Sequence, residues 1–253
     1  MASLRREHPT AITDHHQTMR LPELRAAVLE ANLELVRRGL VLYTFGNASG
    51  IDRAAGLVVI KPSGVDYDQL TPADMVITDL EGRPVEGTLR PSSDLPTHLR
   101  LYREFPAVGG VAHTHSNYAT AWAQAGRSIP CLGTTHADYF HGPVPVTAPL
   151  ADQAIADGYE AETGTAICRA LEGLDPDHIP GALVHGHGPF SWGRDPAAAA
   201  HHAVILEAIA QMAYQTLVLS GDSAAHAAPL ARALHDKHFL RKHGASAYYG
   251  QPS

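Results

Sequence analysis

Residues 91–122 read PSSDLPTHLRLYREFPAVGGVAHTHSNYATAW. Ser93 or Asp94 is placed to cap a helix that runs to Phe105, because a short polar side chain can accept a hydrogen bond from the first free helical N–H groups. Gly109 to His115 is a short apolar run and predicts a buried strand. Ser116 then caps a second, short helix. Helices and a buried strand alternating in so short a span predict an α/β domain with helices layered on a sheet.

The same alternation extends in both directions. A helix begins near Pro22, a residue suited to a first turn. Leu24, Val28, Ala31 and Leu35 form one apolar stripe, and Gly39 after Arg37 and Arg38 is a helix stop. Leu40–Phe45, Leu57–Lys61 and Met75–Leu80 read as strands, with Thr71-Pro72 as a helix start between the last two and Glu81-Gly82 as a turn. Toward the C-terminus, Tyr159–Glu172 is predicted helical and Ala182–His185 a short strand. Asp195-Pro196 opens a long helix ending near Gly221, with Ile205, Ile209 and Met212 on one face. Pro229–His243 is a last helix, stopped by Gly244. No repeat, linker or break in composition divides the chain. The expectation is a loose polar arm over residues 1–20 and one domain over residues 21–253.

Composition narrows the function. The 253 residues are 45% hydrophobic and 18% charged, which suits a large buried core. A net charge of -7 argues against a nucleic-acid partner. It is compatible with a phosphate ligand, which backbone N–H groups can hold. Cys131 and Cys168 are expected to be buried thiols. Met1–Arg20 has no apolar h-region, and there is no run of 18 apolar residues, so no membrane span and a cytoplasmic location are expected.

Chemistry concentrates in four places. In His113-Thr114-His115, residues i and i+2 of a strand share a face, so both imidazoles can reach one ion. His185-Gly186-His187 is a second pair. Three histidines and a carboxylate would suit Zn²⁺ or a similar ion, although spacing alone leaves two unrelated histidine pairs equally open. His201-His202, inside the long helix, is read as structural. Gly46–Gly50, Pro62-Ser63-Gly64 and Pro91–Asp94 are small polar turns that could close on a phosphate. Thr134–Phe140 sets Asp138 among apolar residues, as a proton shuttle or a turn residue. The basic run Asp236–Gly244 suits a helix C-terminus, and the two tyrosines beyond it read as packing.

The segments GNASGIDR, KPSGVDY, PSSDLPTHLRLY, HTHSNYATAWAQAG, TTHADYFHG, LVHGHGPFSWG and DKHFLRKHGASAYYGQ resemble the L-ribulose-5-phosphate 4-epimerases of the class II aldolase superfamily, in order and spacing, from about residue 24 to Gln251. Residues 150–180 match loosely, in YEAETG. The resemblance implies a single-domain three-layer α/β/α sandwich with a mixed, mostly antiparallel sheet. It implies metal ligation by Asp94, His113, His115 and His187, leaving His185 without a role. The ion would be Zn²⁺ or another divalent cation such as Mn²⁺ or Co²⁺. It implies contacts to a sugar phosphate from Gly46, Asn47, Ser63, Gly64, Ser92 and Ser93, and acid–base roles for Asp138 and Tyr249. Lys61, Thr134, His238 and Arg241 match positions near the site. A homotetramer with sites between subunits is implied, Tyr249 coming from the neighbour, as is a role in pentose breakdown such as L-arabinose catabolism. Two rival readings share the fold. Aldolases such as L-fuculose-phosphate aldolase carry Glu where this chain has Asp94 and lack the THADYF segment. Adducin-like heads have lost the histidines.

Overall fold

The computed structural model describes residues 19–221 and 228–250. The expected arm lies almost wholly outside the described residues, as does Gln251. Helix α1 (Pro22–Arg37) forms as its apolar stripe predicts, with Val28, Ala31 and Leu35 buried. Asn32 on the same face stitches α1 to strand β1 (Asn47–Asp52): its amide donates to Ala48 O at 3.1 Å and its oxygen accepts from Ala48 N at 2.8 Å.

Six further strands complete the sheet: β2 (Leu57–Ile60), β3 (Val76–Asp79), β4 (Pro84–Glu86), β5 (Gly110–His113), β6 (Gly181–Val184) and β7 (Gly188–Gly193). Their order is β4-β3-β2-β1-β5-β7-β6. Every neighbouring pair is antiparallel, and a parallel bridge joins Val146 to Leu183 at the β6 edge.

Alternation along the strands builds a core on each face. Val58, Ile60, Val111, Phe190 and Trp192 point to one side. There they meet helix α2 (Leu95–Glu104) through Leu95, Leu99 and Tyr102, and α5 (Asp152–Ala170) through Ile167. Leu57, Val59 and Ile77 point to the other side against Val28 of α1. Ala48 and Ala112 meet Ala31, Leu35 and Ala199, the last from helix α6 (Pro196–Leu219). Fully burying one such large side chain contributes about 1.5–3 kcal/mol, so both faces are firmly covered. The result is the expected three-layer sandwich. Helix α6 is long and apolar enough to span a bilayer by length and composition, but here it packs on β5, β7, α1 and α3 (Asn117–Gln124) as a core helix. Cys131 and Cys168 are buried, unpaired thiols.

The elements differ from the sequence reading in instructive places. Leu40–Phe45 is a loop, not a strand: Tyr43 has φ 52° and Leu42, Tyr43 and Phe45 are exposed. The strand is instead Asn47–Asp52, read from sequence as part of a polar turn. It lies between β2 and β5, where small residues admit close neighbours. A Cβ added at Gly50 would come within 2.7 Å of Pro196 and 2.8 Å of Leu24. Strands β4 and β7 escaped prediction, the latter because Gly188, Pro189 and Gly193 mask the alternating Phe190 and Trp192. Strand β5 ends at His113, two residues early. Asp195 caps α6 as expected, accepting from Ala198 N at 2.7 Å. Ser116 stands at the N-cap of α3 but does not cap it. The Glu207 carboxylate does, accepting from Tyr118 N and Ala119 N, both at 2.9 Å. The last helix, α7 (Arg232–His243), stops at Gly244.

Candidate active site

A cleft of about 370 Å³ opens where the ends of β1, β5 and β7 meet the start of α2. His113 ends β5, His115 follows it, and His187 sits in the tight turn between β6 and β7. One ring nitrogen from each of the three lies within 4.8 Å of the other two, and His115 Nε2 is 3.0 Å from His113 Nε2. His115 has left the strand, yet the two rings converge as the i, i+2 spacing predicted. His185 is exposed and stands outside the group, and His202 bonds the Trp192 carbonyl as a structural residue.

The donor set fits a divalent cation. His113 Nδ1 lies 2.9 Å from Pro189 O, a pure acceptor, so Nδ1 carries the proton and Nε2 keeps its lone pair. His187 Nδ1 is 3.0 Å from the Tyr159 hydroxyl, a contact that fixes the orientation of that ring. Burial pushes His113 down to about 3, with Asp94 opposing, and also lowers His115 and His187. All three rings are therefore neutral at pH 7, the state in which imidazole binds metal. Phe190 stacks on His113, centroids 4.2 Å apart. Gly46 keeps its backbone against this strand end. It has φ +90°, and a Cβ there would meet His113 O at 2.8 Å, so a side chain is excluded twice over.

Asp94 lines the same cleft but is not one of the converging triplet. It occupies the N-cap position of α2 without capping. Its Oδ2 instead accepts from Asn47 Nδ2 at 2.6 Å. Burial raises its pKa, but His113, His98 and the Asn47 amide outweigh that and hold it below the usual carboxylate range.

The expected phosphate residues line the cleft too: Gly46, Asn47, Ser63, Gly64, Ser92 and Ser93. Two of the three polar turns are joined. Ser63 N donates to Arg90 O at 2.9 Å, Ser92 N donates to Lys61 O at 3.0 Å, and Pro62 bridges Pro91. Lys61 is buried beneath them, donating to Val65 O at 2.9 Å and Pro62 O at 3.2 Å. Burial lowers it to about 8, opposed by Asp66. Tyr159 and Glu160 also line the cleft and were not singled out from sequence. Helix α5 is broken at Gly158, immediately before them. The signal was present in YEAETG, in the region of loosest resemblance.

Asp138 and Tyr249 do not line this cleft. Asp138 follows the short helix α4 (Thr134–Ala137) and is clasped by α7. Arg241 Nη2 donates to both its oxygens, at 2.9 and 3.0 Å, His238 Nδ1 lies 3.0 Å away, and Lys242 Nζ 3.6 Å. Burial raises its pKa, but the His238 and Arg241 hydrogen bonds prevail and keep it lowered. Tyr249 is 60% exposed. Its ring lies 4.9 Å from the Arg241 guanidinium and 4.4 Å from Lys242 Nζ. The two groups thus share one cluster, tied by the same two cations.

Residues 26–214 match the family described as Class II Aldolase and Adducin N-terminal domain. The L-ribulose-5-phosphate 4-epimerase UlaF of Salmonella paratyphi B is 51% identical over 231 residues, covering 91% of this chain and all of that protein. The protein of the same name from Salmonella choleraesuis matches at the same identity and coverage. Among solved structures, an L-fuculose 1-phosphate aldolase is similar with TM-score 0.72 at 23% identity, over 85% of this chain and 94% of that one. The L-fuculose-1-phosphate aldolase from Thermus thermophilus has TM-score 0.60 at 25% identity, over 79% of this chain and 97% of that one.

Proposed function

The chain belongs to the class II aldolase and adducin N-terminal domain family, and from that premise we propose that it is a metal-dependent epimerase interconverting L-ribulose 5-phosphate and D-xylulose 5-phosphate. The observation that carries the reading is the single cleft in which three neutral imidazoles face joined small-residue turns. The 51% identity to proteins named for this epimerase supports it over the aldolases, whose likeness is mainly one of fold.

C4 of the substrate has no acidic hydrogen, because the ketone is at C2, so inversion goes by cleavage and re-formation of the C3–C4 bond. His113, His115 and His187, with Asp94 alongside, would hold a divalent ion (Zn²⁺, or Mn²⁺ or Co²⁺), which would supply Lewis-acid stabilisation of negative charge on the ketose oxygens. Ser63, Gly64, Ser92 and Ser93 hold the phosphate, with Gly46 and Asn47 beside them. They keep the aldehyde fragment from escaping while it turns over its other face. Asp138 and Tyr249 exchange the proton of the C4 oxygen, one on each face. Their place outside the cleft of their own chain supports a homotetramer in which a neighbouring copy brings both groups to the site. A cytoplasmic enzyme of pentose breakdown is the corresponding cellular reading.

Incubating metal-loaded protein with L-ribulose 5-phosphate and following the sugars by NMR tests the reading. D-xylulose 5-phosphate is the expected product. Accumulation of free glycolaldehyde phosphate and dihydroxyacetone would identify an aldolase instead, and an unchanged substrate would reject both.

A further inference from the structure

The ladder between β1 and β2 ends at Ser49 and Ile60. Beyond that pair the chain enters two of the small-residue stretches that line the cleft, Gly46-Asn47 on the β1 side and Pro62-Ser63-Gly64 on the β2 side. No rung of that ladder joins them. Each holds a glycine at positive φ, Gly46 at +90° and Gly64 at +68°, so neither is stiff by itself.

Tyr67 touches both. It opens a short 3₁₀ turn (Tyr67–Gln69) and is buried with Val59, Leu70 and Met75. Its hydroxyl donates to Gly46 O at 2.7 Å. A carbonyl oxygen can only accept, so the direction of this bond is fixed, and the single phenol proton is used in it. The ring lies 4.6 Å from Lys61 Nζ and presents its electron-rich face to the ammonium. Lys61 is buried and donates to Pro62 O and Val65 O, which closes the chain around the Pro62–Val65 turn. A buried ammonium needs such partners close by. Tyr67 itself does not line the cleft.

We infer that Tyr67 is a positioning residue of the phosphate cradle: its hydroxyl holds the Gly46 peptide and its ring holds Lys61, so one rigid side chain sets the spacing between the Gly46-Asn47 and Pro62–Gly64 halves. The inference rests on the reading of these stretches as the phosphate site. A cradle of backbone N–H groups and small hydroxyls binds an anion well only if its donors are held in place beforehand. An aromatic ring with two side-chain torsions does this at small entropic cost.

Tyr67→Phe removes the hydroxyl and keeps the ring, and Tyr67→Leu removes both. The probe is inorganic phosphate, titrated into the full chain and followed by ³¹P NMR, with Ser93→Ala as the marker for binding in the cradle. Phosphate affinity is expected to fall about 3–10-fold in Y67F, the worth of one hydrogen bond, and about threefold further in Y67L. Zn²⁺ affinity, measured by competition with a chromophoric chelator, should stay near the native value in Y67F, because the His113 ring is held by Pro189 and Phe190. Native phosphate affinity in Y67F overturns the inference. So does a fall of phosphate and Zn²⁺ affinity by the same factor, which would mark a general loosening of the fold. A Y67L chain no weaker than Y67F removes Lys61 from the inference, and Y67F alone decides it if Y67L does not fold. If S93A binds phosphate as tightly as the native chain, the anion is not held by these turns, and the phosphate reading itself falls.

Discussion

If Asp138 and Tyr249 serve a neighbour's cleft, they serve it together, and subunit mixing can show this. Arg241 bonds both oxygens of Asp138 and also lies under the Tyr249 ring, with Lys242 beside both. On the proposed reading the pair would come from one chain and the histidine triplet from another. Four inactive chains are needed: His113→Asn, which damages the cleft alone, and Asp138→Asn and Tyr249→Phe, each alone and the two combined. Loss of a general acid–base group leaves about 1% of turnover or less. In tetramers formed from equal amounts of H113N and the D138N/Y249F double variant, random placement gives about one quarter of the sites an intact cleft facing an intact pair. Turnover should rise from that background to about one quarter of the native value. Mixing D138N with Y249F should restore nothing, because each neighbour supplies one damaged member of the pair. The assay is epimerase turnover after subunit exchange, with exchange verified by native mass spectrometry. Recovery in the D138N plus Y249F mixture would mean that the two groups come from different chains. No recovery in an exchanged H113N mixture would mean that each chain completes its own site.

His115→Asn should lower bound metal and turnover together, metal affinity falling by at least the about 10–100-fold typical of outer-shell losses; elemental analysis after dialysis showing full metal would remove His115 from the ligand set. Ser93→Ala should raise KM about tenfold for the phosphorylated sugar, as expected for one hydrogen bond to a charged group, and an equal change for unphosphorylated L-ribulose would make the serine structural. His136 and His202 are each pushed by burial from 6.5 down to about 4, opposed by their bonds to the Gly142 and Trp192 carbonyls. The unfolded rings thus take up protons first as pH falls. Their contribution, roughly 3 kcal/mol each at most, is fully present above about pH 6.5 and drains away toward pH 4, so a urea midpoint that stays level from pH 7 to 4.5 would contradict it. Glu207→Ala should destabilise the fold by about 1–3 kcal/mol, leaving the first N–H groups of α3 without their acceptor; a thermal midpoint unmoved by the change would show that solvent serves α3 as well.

Local signals carried much of this structure. The stripe of α1, the stop at Gly39 and the buried run before His113 needed only periodicity and turn chemistry. The convergence of His113 and His115 was expected from strand geometry and holds although His115 lies beyond the end of β5. What could not be read locally was pairing across the sheet. Asn47–Ser49 looks like a turn because its residues are small and polar, and it becomes a strand through Asn32 on one side and the Ser49–His98 contact on the other. Likewise Ser116 looks like a cap, but Glu207, 91 residues later in the chain, supplies the acceptor. Joining His187 to the other two histidines required β7 to pair with β5, and β7 hides behind its glycines and proline. The assignment of Asp138 and Tyr249 came from resemblance alone, since no spacing rule links a turn residue to a tyrosine beyond the last helix.

The two margins of the sheet bear on how copies of this chain can associate. At one margin, β4 has three residues, Pro84 has no N–H to offer, and Glu86 is drawn to Arg25 at 2.6 Å. At the other, the segment around Val146 lies along β6, with Leu183 N donating to Pro145 O and Thr147 N to Leu183 O. Neither margin presents a free row of donors and acceptors, so growth by adding strand to strand, the common route to sheet aggregates, is closed. Any meeting of copies would then run through side chains on helices and loops. Exposed apolar side chains that a partner could cover are Met212, Tyr214, Val218 and Leu219 on α6 and Leu42, Tyr43 and Phe45 by the cleft.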